Sequence, residues 1–254
     1  MMDPGLRPAG MTAFALMVLF LTGCATVPYT NRHQFNIISN DEEIQMGLQA
    51  YTDVKKKNKI SHNPEVNAMV ERVGKRIAAA ANMPEYHWEF VVIDDPKTVN
   101  AFCLPGGKIA VYTGILPLTK DDNGLAVVLG HEVSHALAHH GAERISDQTL
   151  MTLPLTVLLQ GKSEESQVLI QEAFGIGVAL PFGRKQESEA DHIGLILMAK
   201  AGYDPRHAVE FWKRMAQEMQ GKAPPAFLSD HPSDSQRIER IQQELPEALR
   251  YYHP

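Results

Sequence analysis

Apolar residues recur at helical spacing behind Asn63-Pro64, at Val66, Met69, Val70, Val73 and Ile77. That period predicts an amphipathic helix over residues 64–81, with proline in its first turn. A second helix is predicted over residues 41–55. The pattern then changes to short runs rich in β-branched and aromatic residues. WEFVVI at 88–93 and KIAVY at 108–112, the latter behind the turn signal Pro105-Gly106-Gly107, read as strands. From residue 121 onward the spacing is helical again, over 122–140, 145–160, 164–180, 184–201, 205–220 and 233–249. The apolar pieces at 149–159 and 167–182 are interrupted by Pro154, Glu172 and Pro181 and read as core or groove-lining helices, not membrane spans. The predicted fold class is α+β, mainly α, with one small β-sheet.

The N-terminal residues differ in kind. Residues 11–22, MTAFALMVLFLT, form an apolar run too short for a bilayer, which needs about 20 residues, but suited to a signal-peptide core. It leads into Leu21-Thr22-Gly23-Cys24, which resembles a bacterial lipobox. The expectation is a leader over 1–23, a lipidated Cys24 with a tether over 24–38, and a catalytic domain over 39–254. Ala25 in place of Asp points to the outer membrane, facing the periplasm. The alternatives are a secretory signal with an incidental cysteine, and an uncleaved inner-membrane anchor. Cys103 is the only other cysteine, so an acylated Cys24 leaves no internal disulfide, and Cys103 reads as a small apolar filler. With 30 acidic against 24 basic residues the net charge is −6, which offers no footprint for nucleic acid.

Candidate chemistry is concentrated in LGHEVSHAL at 129–137. Residues four apart on a helix differ by about 40° in direction, so His131 and His135 project from one face. Two imidazoles beside Glu132 form the HExxH arrangement, with two ligands for Zn²⁺ and a carboxylate base. The apolar surroundings argue against a surface helix that carries these residues by chance. A metzincin continuation fails, because Ala138 and Gly141 stand where Gly and His are needed. His139 lies two turns from His131, too far along the axis to join it. The third ligand is sought in RKQESEADHIG at 184–194, where Glu187 and Asp191 share a helix face. Glu187 can bind the metal while Asp191 accepts the spare N–H of a ligand histidine. Glu189 is expected to be solvated, and His192 is a rival ligand.

HExxH on one helix followed by ExxxD on another resembles the gluzincin family of the CAAX prenyl proteases and HtpX. The soluble periplasmic lipoprotein members LoiP and BepA look nearest. Residues 100–107, NAFCLPGG, are similar to that family's edge-strand motif, and residues 140–146, 201–205 and 231–238 to its later motifs. The chain lacks the repeat domain that follows the protease in BepA. The resemblance implies a gluzincin-type domain with its sheet beside the active-site helix and one Zn²⁺ per chain. It also implies a role for His231, either as transition-state donor or as a fourth ligand that keeps the enzyme latent. Arg237 is then expected to orient that loop or contact the tetrahedral intermediate. Substrate is expected to pair as an extended strand with the edge offered by residues 108–112, with Asn100, Ala101, Phe102, Gly106, Gly107, Ile109 and Val111 as the contact residues.

The function expected from these readings is a zinc endopeptidase anchored in the bacterial envelope, with misfolded or stalled envelope proteins as substrates. The alternative is a zinc-containing periplasmic assembly factor for outer-membrane proteins with little proteolysis.

Overall fold

The computed structural model describes residues 24–152, 182–218, 225–232 and 236–253, so the expected leader over 1–23 lies outside the described residues. Residues 24–38, expected to be a tether, begin with an antiparallel pair, β1 (Cys24–Thr26) and β2 (His33–Phe35). Strands of three residues carry too little alternation to be recognised in a sequence. Beyond them, Val27 is fully buried in the main core and Ile38 packs with Ala142 and Ile145. The segment is docked at Val27, Gln34 and Ile38.

α1 (Asn40–Lys57) starts at a capping box in which Ser39 N–H donates to Glu42 Oε2 at 3.0 Å and the Ser39 hydroxyl accepts from Glu42 N–H. α2 (Pro64–Ala81) has the predicted boundaries. Asn63 Oδ1 accepts from the N–H groups of Glu65 and Val66, and Asn82 ends the helix in the left-handed region at φ 52°. Three strands follow, β3 (Glu89–Ile93), β4 (Ala101–Leu104) and β5 (Lys108–Tyr112), in the order β3-β5-β4. β3 runs parallel to β5 and β4 antiparallel to it.

This order corrects one expectation. Residues 108–112 were to offer the free edge, yet β5 is paired on both sides and all five of its residues are buried. The Pro105–Gly107 turn, with Gly106 at φ 78° and Gly107 at φ 79°, folds β4 back onto β5, so β4 and β3 are the two outer strands.

α3 (Leu116–Thr119) leads to α4 (Asp122–Leu137), capped by Asp121 Oδ1, which accepts from Gly124 N–H at 2.9 Å. The helix predicted over 122–140 breaks early. His139 takes φ 51° and α5 (His140–Thr152) begins immediately after it. The helix predicted over 145–160 begins inside α5, its part beyond Thr152 lies outside the described residues, and so does the helix predicted over 164–180. α6 (Arg184–Lys200), α7 (His207–Glu218), α8 (Ala226–Asp230) and α9 (Arg237–Ala248) complete the order. No helix among the described residues is long and apolar enough to cross a membrane.

α4 is the axis of the core, because every residue from Gly124 to Leu137 is buried. Burial of Leu125, Val128, Leu129, Val133 and Leu137 stabilises the fold by about 1.5–3 kcal/mol per side chain, which offsets the cost of seating polar groups on the same helix. α4 and α6 meet backbone to backbone. A Cβ at Gly194 would lie 2.9 Å from His131 N, and one at Gly130 would lie 2.8 Å from Gly194 O. Only two glycines permit this approach, and it sets the spacing of the two helices that carry the HExxH and ExxxD residues.

Alanine normally favours a helix over glycine by about 1 kcal/mol, so the sign of a substitution here is diagnostic. Gly194→Ala should lower thermal stability by about 1–3 kcal/mol through overpacking against backbone. Gly183→Ala, at the N-cap of α6 where its Cβ would meet only Gln186 Oε1 at 3.9 Å, should cost less than about 1 kcal/mol, the difference between alanine and glycine as caps. Thermal unfolding of the two variants beside the parent checks both, and an unchanged midpoint for Gly194→Ala would show that the helices tolerate separation.

Candidate metal centre

α4 presents His131 and His135, α6 presents Glu187, and the turn after α8 presents His231. All four are buried, and one potential ligand atom from each lies within 4.8 Å of the others. The individual spacings are tighter. His131 Nε2 is 3.1 Å from His135 Nε2, 3.2 Å from His231 Nδ1 and 3.5 Å from Glu187 Oε2. Glu187 Oε1 lies 3.4 Å from His135 Nε2 and 3.0 Å from His231 Nδ1. Ligand atoms about 2.0–2.1 Å from a tetrahedral zinc are separated by about 3.3 Å along each edge, so the cluster has the dimensions of a zinc site.

The outer nitrogens decide what the inner ones can do. His131 Nδ1 lies 3.0 Å from Asp191 Oδ1, which accepts its proton. His135 Nδ1 lies 2.9 Å from His140 Nδ1, and His140 Nε2 lies 2.9 Å from Glu189 Oε2. Burial holds His135 and His140 below the usual imidazole range, so both are neutral. The carboxylate of Glu189 places the His140 proton on Nε2, which leaves His140 Nδ1 to accept from His135 Nδ1–H. With the His131 proton on Nδ1 toward Asp191 and the His135 proton on Nδ1 toward His140, the Nε2 atoms of both are free to share a cation. Glu187 Oε2 and Glu132 Oε1 are buried without a hydrogen-bond partner, with Arg237 Nη1 3.1 Å from Glu187 Oε2. Burial opposes a charge on His131, but the carboxylates of Glu187 and Asp191 raise its proton affinity, and a divalent cation among these atoms would take that proton's place. The residues fit zinc.

Glu132 is 2 % exposed, and its Oε1 lies 3.3 Å from His231 Nε2. Burial pushes its carboxyl up to about 7, with His231 opposing the shift and Glu187 adding to it. His231 thus spans the centre, with one nitrogen among the ligand atoms and the other against Glu132. Its position is set from the sheet. Asn100 Nδ2 donates to Asp230 Oδ2 at 2.9 Å, and Phe227 N–H donates to Val99 O at 2.9 Å. Arg237 is 1 % exposed and stacks on Trp212 with its guanidinium carbon 3.4 Å from the ring centroid. It donates to Asp191 Oδ1 at 2.7 Å, and its Nη1 lies 3.1 Å from Glu187 Oε2. Its donors are directed at Asp191 behind the site and at the ligand carboxylate of Glu187.

Several expected residues stand elsewhere. Glu189, expected to be solvated, is 8 % exposed and accepts from Thr30, Arg32 and His140. The N-terminal hairpin covers that face of α6, which helical geometry alone could not foretell. His192 lies near Glu244 and Glu247, away from the cluster. Ile109 and Val111 are fully buried, paired with Cys103 and Ala101. Gly106 and Gly107 turn the chain beneath Ile44 and Trp88. None of these four lines an edge. Ala101 and Phe102 lie on β4, which packs beside α4, and Asn100 precedes it. His140 and Phe182 were missed. The only hint of His140 was its place one turn beyond His135, and Phe182 stacks on His135 with centroids 3.9 Å apart, a contact with no local signal.

Residues 64–245 match the peptidase family M48. The chain is 43% identical over 237 residues to "Mitochondrial metalloendopeptidase OMA1" of Schizosaccharomyces pombe, covering 91% of this chain and 69% of that protein. It is 37% identical to the protein of the same name in Arabidopsis thaliana, covering 83% of this chain and 43% of that one. Identity to the "Putative beta-barrel assembly-enhancing protease" of Vibrio cholerae is 29%, covering 78% and 43%. These relatives overturn the expectation of a bacterial envelope lipoprotein at the outer membrane, and with it the lipid anchor at Cys24. An apolar run of a dozen residues before a cysteine is a weak signal beside identity along nine-tenths of the chain. The chain belongs to peptidase family M48 and is a zinc metalloendopeptidase.

Proposed function

We propose that this chain is a counterpart of the mitochondrial OMA1 metalloendopeptidases, shares their mitochondrial setting, and cleaves peptide bonds in extended protein segments laid along β4. The observation that carries the reading is the convergence of His131, His135 and Glu187 on one point with Glu132 beside it. Residues 39–254 act as the catalytic unit.

Zinc held by these residues supplies a Lewis acid that polarises a peptide carbonyl and acidifies water. Glu132 takes a proton from the attacking water and returns it to the departing amide nitrogen, a transfer suited to a carboxyl that titrates near neutral pH. Asp191 holds His131 in the tautomer that keeps Nε2 free. Arg237 is a positioning residue that neutralises Asp191 and Glu187 and keeps both carboxylates in place. The edge strand β4 binds substrate main chain, a mode indifferent to sequence.

His231 acts as the fourth ligand of a resting state. A catalytic zinc keeps a position open, whereas four protein ligands close it. Because α8 hangs from Val99 and Asn100 at the start of β4, occupation of β4 by substrate bears directly on the segment that carries His231.

Glu132→Gln should retain one zinc per chain by elemental analysis yet lose about 10²-fold or more of its cleavage of unfolded casein. Casein cleavage at the parental rate would remove Glu132 as the base. His231→Ala should raise casein cleavage while keeping zinc bound through the remaining three ligands. Loss of activity with zinc retained would make His231 a transition-state donor.

A further inference from the structure

Ligand histidine His131 has a carboxylate directly behind it, but His135 does not. Behind His135 stands a longer chain of groups that ends in the N-terminal hairpin. His135 Nδ1–H donates to His140 Nδ1 at 2.9 Å, and His140 Nε2–H donates to Glu189 Oε2 at 2.9 Å. Glu189 in turn accepts from Arg32 Nε at 2.8 Å and from the Thr30 hydroxyl. Arg32 also donates to Glu143 through Nη2 at 2.9 Å and through Nη1, and Gln186 Nε2 donates to Glu143 Oε2 at 2.7 Å. His140 is fully buried, and Glu189 and Glu143 are below one-tenth exposed.

We propose that the N-terminal hairpin is part of the metal centre, with Arg32 and Thr30 acting as positioning residues for His135 through Glu189 and His140. The inference rests on the reading of His135 as a zinc ligand.

A carboxylate on a buried helix face can swing among several donors. Here Arg32 and Thr30 occupy the lone pairs of Glu189 that do not face His140, so one oxygen is aimed at His140 Nε2. That aim fixes the His140 ring and leaves its Nδ1 lone pair turned to His135. His135 must then carry its proton on Nδ1 and present Nε2 to the metal. Arg32 is suited to the task because its planar fork engages Glu189 and Glu143 at once, so one side chain ties α5 and α6 to the hairpin. A group hydrogen-bonded directly to a zinc ligand affects metal affinity by about 10–100-fold; His140 is that group for His135, Glu189 stands one hydrogen bond further out, and Arg32 and Thr30 stand one beyond Glu189.

The test measures zinc affinity of the full chain by competition with a chromogenic chelator, beside the visible spectrum of the Co²⁺-substituted protein and the thermal midpoint of the metal-free protein. Arg32→Ala and Glu189→Gln should each weaken zinc binding by more than about twofold and up to about 10-fold, the low end of the range for a group bonded directly to a ligand, and alter the cobalt bands. Arg32→Lys, which keeps the charge but not the fork, should fall between Arg32→Ala and the parent. Arg72→Ala, at the half-exposed Arg72–Asp122 ion pair, should leave zinc affinity unchanged. If Arg32→Ala does not fold, Thr30→Val and Arg32→Lys supply the same readout. Zinc affinity within about twofold of the parent and an unchanged cobalt spectrum, even with a lower metal-free midpoint, would reduce the hairpin to a structural role and overturn the proposal. The underlying reading is tested separately with His135→Ala. If the parent binds zinc no more tightly than that variant, His135 is not a ligand and the proposal falls with it.

Discussion

Potential ligand atoms from His131, His135 and Glu187 lie within 3.5 Å of one another inside the protein. Burying so many polar groups together is costly, and a cation bound among them would offset that cost, so the fold around the cluster is organised to hold them in place. Each outer nitrogen has an assigned partner: Asp191 for His131 and His140 for His135. Arg237, stacked on Trp212 and bonded to Asp191, supplies the nearest fixed positive charge. Among the described residues, most of the buried polar side chains belong to that arrangement or to the hairpin contacts behind it.

The scaffold meets this demand through the contact of α4 with α6. Gly130 and Gly194 let the two backbones meet, which brings side chains from different helices within reach of one ion. The fourth side chain, His231, arrives on a separate short element tied to the edge strand. Ligands on two long, buried helices are rigid, whereas a ligand on a turn can be displaced. That division suits a centre that must both retain a metal and open to substrate.

Membership of family M48 accounts for the chemistry, and the similarity to mitochondrial OMA1 enzymes removes the bacterial-envelope setting expected from the N-terminal residues. The short apolar run and Cys24 formed a local pattern of low information, while the metal-site motifs drew support from the whole chain. The same contrast explains the tether expected over 24–38. Polar composition suggested a tether leading into a first docking segment, and Thr30 and Arg32 are polar because they bond to Glu189 and Glu143.

By itself the sequence determined whatever depends on periodicity along one helix or on a cap. The boundaries of α2, the shared face of His131 and His135, and that of Glu187 and Asp191 follow from 3.6 residues per turn. The mainly helical α+β class was legible for the same reason. Tertiary structure alone decided what depends on which elements lie side by side. It placed β5 in the middle of the sheet and β4 at its edge, ended α4 at His139, and buried Glu189 under the hairpin. It also brought His140 behind His135. These are distances between segments remote in the chain, set by packing, and no local spacing encodes them.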